Sequence, residues 1–526
     1  VAEDAAGNPQ WVMIEGSTRP FLYSEWSTTI RNAHQLQLME LNLVANYTLA
    51  ANVDAGETSG SNASGMWSTA GFNPVGSENG LFHGSLDGQG HAIKGLVIQR
   101  DAQSNVGLFG YVAQPWIHDI GLTDSHITGA NSVGGLVGHS LWAIISNAYT
   151  TGTVSGLSDV GGLTGWSGGS LNNVYSTSTV SGSSFAAGGL IGTNNGSLTN
   201  AYATGAVSGG HNVGGLVGVN AGDVSNAYTT SKATGFYAGG WAGLDLGGTI
   251  TNVFYATTDQ SGQAINTAAA PYTGTGKTWA ELTQLDTFAG WSMDDAGGTG
   301  SVWRIYDGYT TPLLRSFLTA VTVSADPASL TGKTYDGSGA SGAFSYSTDL
   351  SNAALYGTGN YTTTSANAGT YSAANGGLKF SGLYSGQQGY DISYASPSNT
   401  LTIDKAALTV TVNGSSKTYD GQAWSGGNGV AYSGFVNGEN DWVLGGVLTY
   451  GGTAQGATNA GSYILSASGY SADNYAISYV DGTLDIGKAA LTVTANNASK
   501  TYDGLAWNGG NGVAYSGFVN GEDQSV

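Results

Sequence analysis

Asp87 and His91 lie in the stretch LDGQGH, and their types and spacing come nearest to a chemical site. A carboxylate close to an imidazole could transfer a proton or hold a divalent metal ion. The same stretch also fits a turn, because Asp-Gly and other glycine-rich sequences favour turns at the end of a strand. We favour the turn, and we therefore predict no catalytic residue, no metal site and no bound cofactor.

The acidic residues in the centre of the chain show no catalytic pattern. Only four occur between residues 133 and 262, and they do not share a repeat position: Asp159, Asp223, Asp245 and Asp259. Enzymes that cleave polysaccharides need carboxylates that converge on one face. The other histidines have no HExxH spacing, and none accompanies a glycine-framed serine nucleophile. A catalytic groove is therefore not supported.

The composition is that of an all-β protein with few charges. The chain has 526 residues, with 86 glycines, 8 prolines, no cysteine and 9% charged residues. Short apolar runs broken by Gly, Asn, Ser and Asp predict short strands joined by turns. The net charge of −21 and the lack of a Lys/Arg cluster argue against nucleic acid as a partner. No run of 18 apolar residues is present, so we predict no membrane-spanning segment.

A motif of about 26 residues repeats through the centre of the chain. Its glycine pairs begin at Gly134, Gly161, Gly188, Gly214 and Gly239. Its asparagines are Asn147, Asn173, Asn200, Asn226 and Asn252. A tyrosine follows each of the first four asparagines two residues later: Tyr149, Tyr175, Tyr202 and Tyr228. We expect the copies to stack, because a unit this short cannot bury an apolar face alone.

The repeat predicts a parallel β-solenoid with about 26 residues per coil. Glycine and β-branched residues dominate, and no 3.6-residue periodicity is present, which excludes helical repeats. Stacking at about 4.8 Å would pair each strand with its copies above and below. We expect the glycines to occupy corners of positive φ. We expect the asparagines to form a ladder of amides, so Asn200→Leu should destabilise the array more than a change at Ser208.

Two further features of the array can be anticipated from the sequence. The tyrosines could lie in the core, which we favour, or could form an outward aromatic ladder suited to sugar rings. Short helices within residues 28–43 and 278–288 would cap the two ends of the array, because exposed strand edges need cover.

The GGLVG…NAY…G pattern resembles the GLUG repeat of bacterial surface proteins. Five copies and a shortened one, VGLFG at residues 106–110, carry the resemblance, which covers about residues 26–318. The resemblance implies a secreted or cell-surface protein.

A second repeat occupies the last two fifths of the chain. KTYDG recurs at Lys333, Lys417 and Lys500, and KAALTVT recurs at Lys405 and Lys488. The alternation in ALTVTV predicts a strand with one buried face. Modules of about 83 residues with this pattern predict β-sandwich or β-grasp-like units. These copies resemble the MBG repeat of large bacterial exoproteins.

These patterns divide the chain into six parts. They are an N-terminal cap with lead-in coils (1–104), solenoid repeats (105–262), a C-terminal cap (263–318), two modules (319–404 and 405–487) and a truncated module (488–526). Since the last part stops inside a module, we expect the sequence to be a fragment.

Together the two resemblances are typical of a filamentous-haemagglutinin-type adhesin. That type implies a secreted or bacterial cell-surface protein, exported by a partner transporter, which binds host or surface glycans or proteins without catalysis. Two alternatives stay open. One is a carbohydrate-active β-helix enzyme, either a lyase or a hydrolase, and the other is a structural spacer without a ligand.

Overall fold

The computed structural model describes residues 3, 7, 9–60, 65–266, 274–395 and 398–526. These residues form two units. The solenoid unit consists of Val1–Val321 and Tyr384–Ser393, and the module unit consists of Thr322–Leu383 and Tyr394–Val526. The structure is almost entirely β, with 7% helix, as the sequence predicts.

The solenoid has about six turns of about 27 residues, which confirms the predicted parallel β-solenoid. Equivalent residues of successive turns pair in parallel, as Val154 does with Val180 and Val180 with Val207. The largest sheet contains Thr29–Ile30, Asn46–Leu49, Val53–Asp54, Ser85–Asp87, Ala92–Lys94, Val97–Gln99, Trp116–Thr128, Asn131–Gly134, Ile144–Gly161, Ser170–Ser176, Thr179–Gly188, Ser197–Ala203, Val207–Gly214, Asp223–Thr229, Ala233–Thr234, Ala238–Gly239, Ile250–Ala256 and Thr275–Lys277.

A second parallel sheet runs through the same turns. Its strands, in spatial order, are Ala242–Asp245, Val217–Asn220, Ile191–Asn194, Thr164–Ser167, Val137–Leu141 and Phe109–Ala113. A column of leucines lies buried between these strands and the larger sheet: Leu136, Leu163, Leu190 and Leu216. Trp241, which is 2% exposed, continues the column in the next turn. The repeats therefore share one continuous apolar core.

The repeated glycines are required by close backbone approach. None of the five has a positive φ, so the expectation of positive-φ corners at these glycines is wrong. An ideal Cβ on Gly188 would lie 2.0 Å from the carbonyl oxygen of Ile191, and one on Gly214 would lie 1.8 Å from that of Val217. The chain folds back so tightly at this point of each turn that only a hydrogen atom fits.

The helices are short and few. Of the helix expected within residues 28–43, only Ala33–Gln37 is α-helical, and Leu38–Leu41 continues as a 3₁₀ turn. The helix begins late because Ile30 pairs with Leu49 in a parallel strand pair. The remaining helical segments are Tyr23–Glu25, Gly56–Ser59, Trp279–Leu282, Leu285–Phe288, Arg315–Phe317, Pro327–Ser329 and Asp441–Val443. Every helix in the described part of the chain is too short to cross a membrane.

Three more short strands follow the last coil in the solenoid unit, and two precede the first. They are Met293–Asp294, Trp303–Arg304 and Leu313–Leu314, and Trp11–Val12 with Phe21–Leu22. Residues 384–393, which the sequence places in the first module, belong to the solenoid unit.

Further β-sheets follow in the module unit. Within residues 405–487, Ala406–Val412 pairs antiparallel with Val430–Ser433 and parallel with Tyr475–Val480. Its residues alternate between buried and more exposed, as ALTVTV predicts. The other strands of the repeat region are Thr319–Ala325, Lys333–Thr334, Ser341–Ala343, Tyr346–Thr348, Tyr356–Thr363, Gly369–Ser372, Leu378–Tyr384, Tyr390–Tyr394, Thr400–Asp404, Ser415–Thr418, Gly445–Gly451, Gly461–Ser471, Gly482–Gly487, Thr492–Ala495 and Val513–Ser516.

Gly188→Ala is expected to destabilise the solenoid unit by about 3 kcal/mol or more, because the new Cβ would overlap the Ile191 carbonyl in a buried turn. Gly300→Ala is the matched control. No atom lies within 4 Å of its Cβ position and its φ is not positive, so we expect a change within about 0.5 kcal/mol. Thermal unfolding followed by tryptophan fluorescence measures both, and equal melting temperatures would contradict the close-approach explanation.

Candidate functional site

The repeated asparagines occupy left-handed backbone positions. Their φ angles lie between 47° and 55° in all five copies. Asp119 holds the same position one turn earlier, with a φ of 53°. Asn and Asp tolerate this conformation best among residues with a side chain. The residue type at this position is therefore explained by the backbone.

The side chains of these asparagines form two short runs of hydrogen bonds. Asn147 Nδ2 donates to Asp119 Oδ1 at 2.9 Å, and Asn173 Nδ2 donates to Asn147 Oδ1 at 3.2 Å. Asn252 Nδ2 donates to Asn226 Oδ1 at 3.0 Å. At Asn200 the direction changes, because its Nδ2 donates sideways to Asn172 Oδ1 at 3.0 Å. Its own Oδ1 accepts from the Trp303 indole at 3.3 Å.

A second amide ladder lies inside the solenoid, where the sequence analysis did not place one. Asn194 Nδ2 donates to Asn220 Oδ1 at 2.8 Å, and Asn220 Nδ2 donates to Asp245 Oδ1 at 3.1 Å. Asn194 and Asn220 are fully buried. Each stands six residues after a repeated glycine, which is the signal that could have revealed this column.

The tyrosines form a continuous stack on the outside of the solenoid core. Ring centroids from Tyr149 to Tyr175, Tyr202 and Tyr228 are 5.0, 4.8 and 5.1 Å apart, and the planes differ by 13° or less. Neighbouring Ala148 faces the core, so the alternate tyrosine faces away from it. Phe254 occupies the next place in register after Tyr228. The tyrosine stack is thus a separate apolar layer from the leucine column.

The chain itself covers this layer. Phe317 meets Tyr149 and Tyr175 edge-on, with centroids 5.5 and 5.0 Å away. Trp303 and Phe288 pack against Tyr228, and Trp291 packs against both of them in the same cluster. Within the segment expected to cap the array, Thr275–Lys277 pairs with the last strand, Ile250–Ala256. Residues 288–317 of that segment lie along the side of the array, because the stacked rings present an apolar strip there.

The hydroxyl groups of the stack bond to the covering segments. Tyr228 donates to the carbonyl of Pro312 at 2.6 Å, and Tyr202 donates to Gln387 Oε1 at 2.9 Å. Gln388 Nε2 donates to the Tyr175 hydroxyl at 2.8 Å. Burial raises the pKa of Tyr175, Tyr202 and Tyr228 well above the ordinary value, because a phenolate would be desolvated there.

Residues 384–393 are held against the cover by a buried ion cluster. Asp391 accepts from Arg315 Nη1 at 2.5 Å and lies 3.3 Å from Arg304 Nε. Arg304 also stacks on Tyr306, whose hydroxyl donates to the Tyr390 carbonyl at 2.5 Å. These contacts explain why this stretch belongs to the solenoid unit.

Asp87 and His91 lie at the two ends of one backbone turn. The backbone from Asp87 to His91 forms a turn in which Asp87 Oδ1 accepts from the Gln89 amide at 2.9 Å. The imidazole near Asp87 is that of His118, whose Nδ1 lies 3.6 Å from Asp87 Oδ1 and 2.7 Å from Asp119 Oδ2. The potential ligand atoms of Asp87, His118 and Asp119 lie within 4.8 Å of one another, so they could hold a metal ion.

A cleft of about 290 Å³ adjoins this cluster at the first ring of the tyrosine stack. Asp119, Asn147, Tyr149, Phe317 and Gln388 are among its lining residues. It combines a carboxylate, two amides and two aromatic rings. Such a lining can hydrogen-bond and stack against a small polar ligand.

The remaining acidic residues of the array are bound by their own neighbours. Asp159 accepts from the Thr193 hydroxyl at 2.5 Å, and burial raises the pKa of its carboxyl. Asp223 accepts from the Thr249 amide at 2.7 Å. Asp259 accepts from Ser261 in a turn, and these hydrogen bonds lower the pKa of its carboxyl. Each carboxylate therefore has a separate local role.

Comparison with known families agrees with this architecture. Residues 129–155 match the GLUG motif. Residues 408–485 match the MBG domain of the YGX type. The GLUG match spans one turn of the solenoid, and the MBG match spans most of the second module.

One curated relative and one solved structure show further similarity. A stretch of 113 residues is 37% identical to halomucin of Haloquadratum walsbyi, and it makes up 20% of this chain but only 1% of halomucin. A crystal structure of a Bacteroides ovatus protein named "putative immunoglobulin A1 protease" is 19% identical, with a TM-score of 0.38, over 55% of this chain and 92% of that one. The GLUG and MBG matches, together with halomucin, indicate a surface or secreted repeat protein.

Asn200→Gly and Asn200→Leu separate side-chain bonding from backbone conformation. Glycine keeps the φ of 52° and removes the bonds to Asn172 and Trp303, at a cost of about 1 kcal/mol. Leucine also has to adopt the left-handed conformation, which adds about 1–2 kcal/mol. Ser208→Leu at an exposed position is the control. We expect a higher melting temperature for the glycine variant than for the leucine variant. Equal melting temperatures would show that the positive φ at residue 200 is not the constraint.

Raising the pH above 10 should destabilise the solenoid unit. Its buried tyrosines keep their protons in the folded chain and lose them in the unfolded chain, so each lowers the free energy of unfolding by up to about 1.4 kcal/mol per pH unit. Tyr202→Phe removes one such group and should make the fall of melting temperature between pH 9 and 12 shallower. Tyr237→Phe, at a 55% exposed site, should leave the fall unchanged. Identical pH profiles for Tyr202→Phe and the parent chain would contradict the burial argument.

Proposed function

We propose that this chain is part of a bacterial surface adhesin in which the solenoid is a non-catalytic stalk carrying a ligand-binding surface. The observation that carries the proposal is that the repeated asparagine and tyrosine side chains are engaged in contacts within the solenoid unit itself. The asparagine amides bond to neighbouring side chains, and the tyrosine stack is covered by residues 278–319 and 384–393. A repeated catalytic strip would need these columns to face solvent.

An exposed aromatic patch on the first turns is the surface that we assign to the ligand. Trp116, Trp142 and Ile144 are 53%, 66% and 55% exposed. Trp116 and Ile144 are register partners on adjacent turns. The Trp116 ring also lies 4.0 Å from the ring of His118, which adjoins Asp119 and the cleft. Exposed indoles beside polar groups suit the apolar faces and hydroxyl groups of a glycan.

The finer parts of this proposal rest on the sequence resemblances. We propose that the adhesin is of the filamentous-haemagglutinin type, located at the bacterial cell surface or secreted, and exported by a partner transporter. The GLUG and MBG matches support a surface repeat protein, and the low charge is compatible with export.

The enzyme alternative has one specific observation in its favour. Asp87, His118 and Asp119 place two carboxylates and an imidazole together beside a cleft. Such a group could transfer protons or bind a metal ion during cleavage of a glycan. The experiment on the proposed function therefore has to measure both binding and turnover.

The parent chain should bind glycans from a panel of neutral and acidic polysaccharides without forming new reducing ends or unsaturated products. Trp142→Ala should weaken binding at least fivefold, because it removes a 66% exposed ring from the patch. Phe236→Ala, at a 72% exposed ring elsewhere on the unit, is the matched control and should leave binding unchanged.

The remaining outcomes distinguish the alternatives. Product formation that Asp87→Asn abolishes, with the fold retained, would establish the enzyme and overturn the adhesin. No binding to any glycan or surface protein would favour the structural spacer.

A further inference from the structure

The KTYDG stretches form the same turn in all three copies. The lysine Nζ lies 2.6, 2.6 and 2.7 Å from the aspartate Oδ1 in the pairs Lys333–Asp336, Lys417–Asp420 and Lys500–Asp503. That aspartate also accepts from the amide two residues later in each copy. We call residues 333–337, 417–421 and 500–504 the KTYDG turns. The hydrogen bonds within the three turns are the same, so any difference in the exposure of their tyrosines arises from the residues packed against each turn.

A second repeated feature is the loop that ends the stretch GGNGVAYSGFVNGE. Asn437 and Gly438 have φ angles of 54° and 73°, and Asn520 and Gly521 have 53° and 76°. We call residues 437–439 and 520–522 the Asn-Gly-Glu loops. Two successive left-handed residues aim the following glutamate in the same direction in both copies.

The first Asn-Gly-Glu loop docks on the KTYDG turn of the preceding module. The Tyr335 hydroxyl donates to Glu439 Oε1 at 2.6 Å, and Glu439 also accepts from Tyr475 of its own module. Gly337 lies against Asn437, because a Cβ on Gly337 would come within 2.5 Å of the Asn437 amide. Tyr335 is only 5% exposed as a result.

The second loop docks in the same way on the next turn. The Tyr419 hydroxyl donates to Glu522, and the place of a Cβ on Gly421 is 2.5 Å from the Asn520 side chain. Gln422 Nε2 adds a hydrogen bond to Asn520 Oδ1 at 3.0 Å. Two junctions with identical partner types thus occur one repeat apart.

The third KTYDG turn carries no such loop in the structure, and its Tyr502 is 94% exposed. We propose that each KTYDG turn is a docking surface for the Asn-Gly-Glu loop of a neighbouring MBG-type module, and that the turn at residues 500–504 has the chemistry to receive such a loop. The occupant is defined by its chemistry: a glutamate that accepts from the tyrosine hydroxyl, and an asparagine that fits over the glycine.

The physical basis is a short contact with three distinct requirements. A phenol donating to a carboxylate makes a charge-assisted hydrogen bond, which is stronger than one between neutral groups. The glycine of the turn leaves room for the asparagine, and the left-handed loop gives the glutamate its direction. In both junctions the loop belongs to the module that follows the turn, so the joining has one direction along the chain.

The open turn can be tested by lengthening the chain. Residues 443 and 526 are equivalent positions one repeat apart, so a second copy of residues 444–526 added after Val526 continues the repeat in register and supplies a third Asn-Gly-Glu loop. The added copy carries Tyr502→Phe and Thr494→Ser, so that its peptides differ in mass. Nitration by tetranitromethane at Tyr502, followed by mass spectrometry, should be at least tenfold slower in the extended chain than in the parent chain.

Hydrogen exchange provides the folding control in that experiment. Completion of the third module should slow exchange at Thr492–Ala495, because this strand gains the parallel partner that Ala406–Val412 has in Tyr475–Val480. A matched extended chain with Glu522→Ala in the added copy should keep this protection and lose most of the protection of Tyr502. Fast nitration of Tyr502 in an extended chain whose Thr492–Ala495 is protected would overturn the proposal.

The existing junctions give an independent test in the 526-residue chain. Glu439→Ala should raise the nitration rate of Tyr335 at least threefold and leave Tyr419 within twofold of the parent chain, and Glu522→Ala should do the reverse. Each variant is the control for the other. Unchanged rates at both tyrosines would show that the loop does not cover the turn, and would overturn the proposal whether or not the extended chain folds.

Discussion

In-register stacking of parallel coils is the constraint on which the rest of the solenoid depends. Each strand bonds to its copies above and below at about 4.8 Å, so every position faces its own equivalent in the next turn. A residue type can therefore recur at a given position only if its side chain fits against the same side chain of the next turn at that spacing. Flat aromatic rings satisfy the condition, since the tyrosine centroids are 4.8 to 5.1 Å apart. Glycines satisfy it where the backbone folds back on itself, and asparagines satisfy it where φ is positive.

The outward tyrosine stack creates a second requirement, because an apolar strip on a solenoid must be covered. Two segments cover the strip. One follows the last coil in sequence, and the other is residues 384–393, which come after Thr322–Leu383 in the chain but belong to the solenoid unit. The hydroxyl groups of Tyr202 and Tyr228 donate to Gln387 and to the Pro312 carbonyl, and the Tyr175 hydroxyl accepts from Gln388. The arginine–aspartate cluster at Asp391 holds residues 384–393 in place. The tyrosine stack is therefore the common packing surface for these two covering segments of the solenoid unit.

The modules follow a different principle. The second module has an apolar core of its own, the cluster around Leu465, Leu484 and Ile486. Contacts between modules can then be made by a few side chains at a turn and a loop. Solenoid repeats share a core along their whole length, so a defect in one turn is transmitted to the adjacent turns.

The sequence alone determined the architecture because period and residue type carry that information. Recurrence of glycine, leucine and asparagine at about 26 residues requires equivalent positions to stack, and the alternation in Ala406–Val412 defines a one-sided strand. Only the tertiary structure decided on which face of the coil the tyrosines lie. A repeat period shows that equivalent residues recur, but it does not show whether their side chains point into or away from the core. It also paired Asp87 with His118 of the next turn instead of His91, and it brought Asn194 to Asn220 inside the core. These pairings join residues about one coil apart. Their geometry depends on the backbone conformation of each coil, which the amino-acid sequence alone does not reveal.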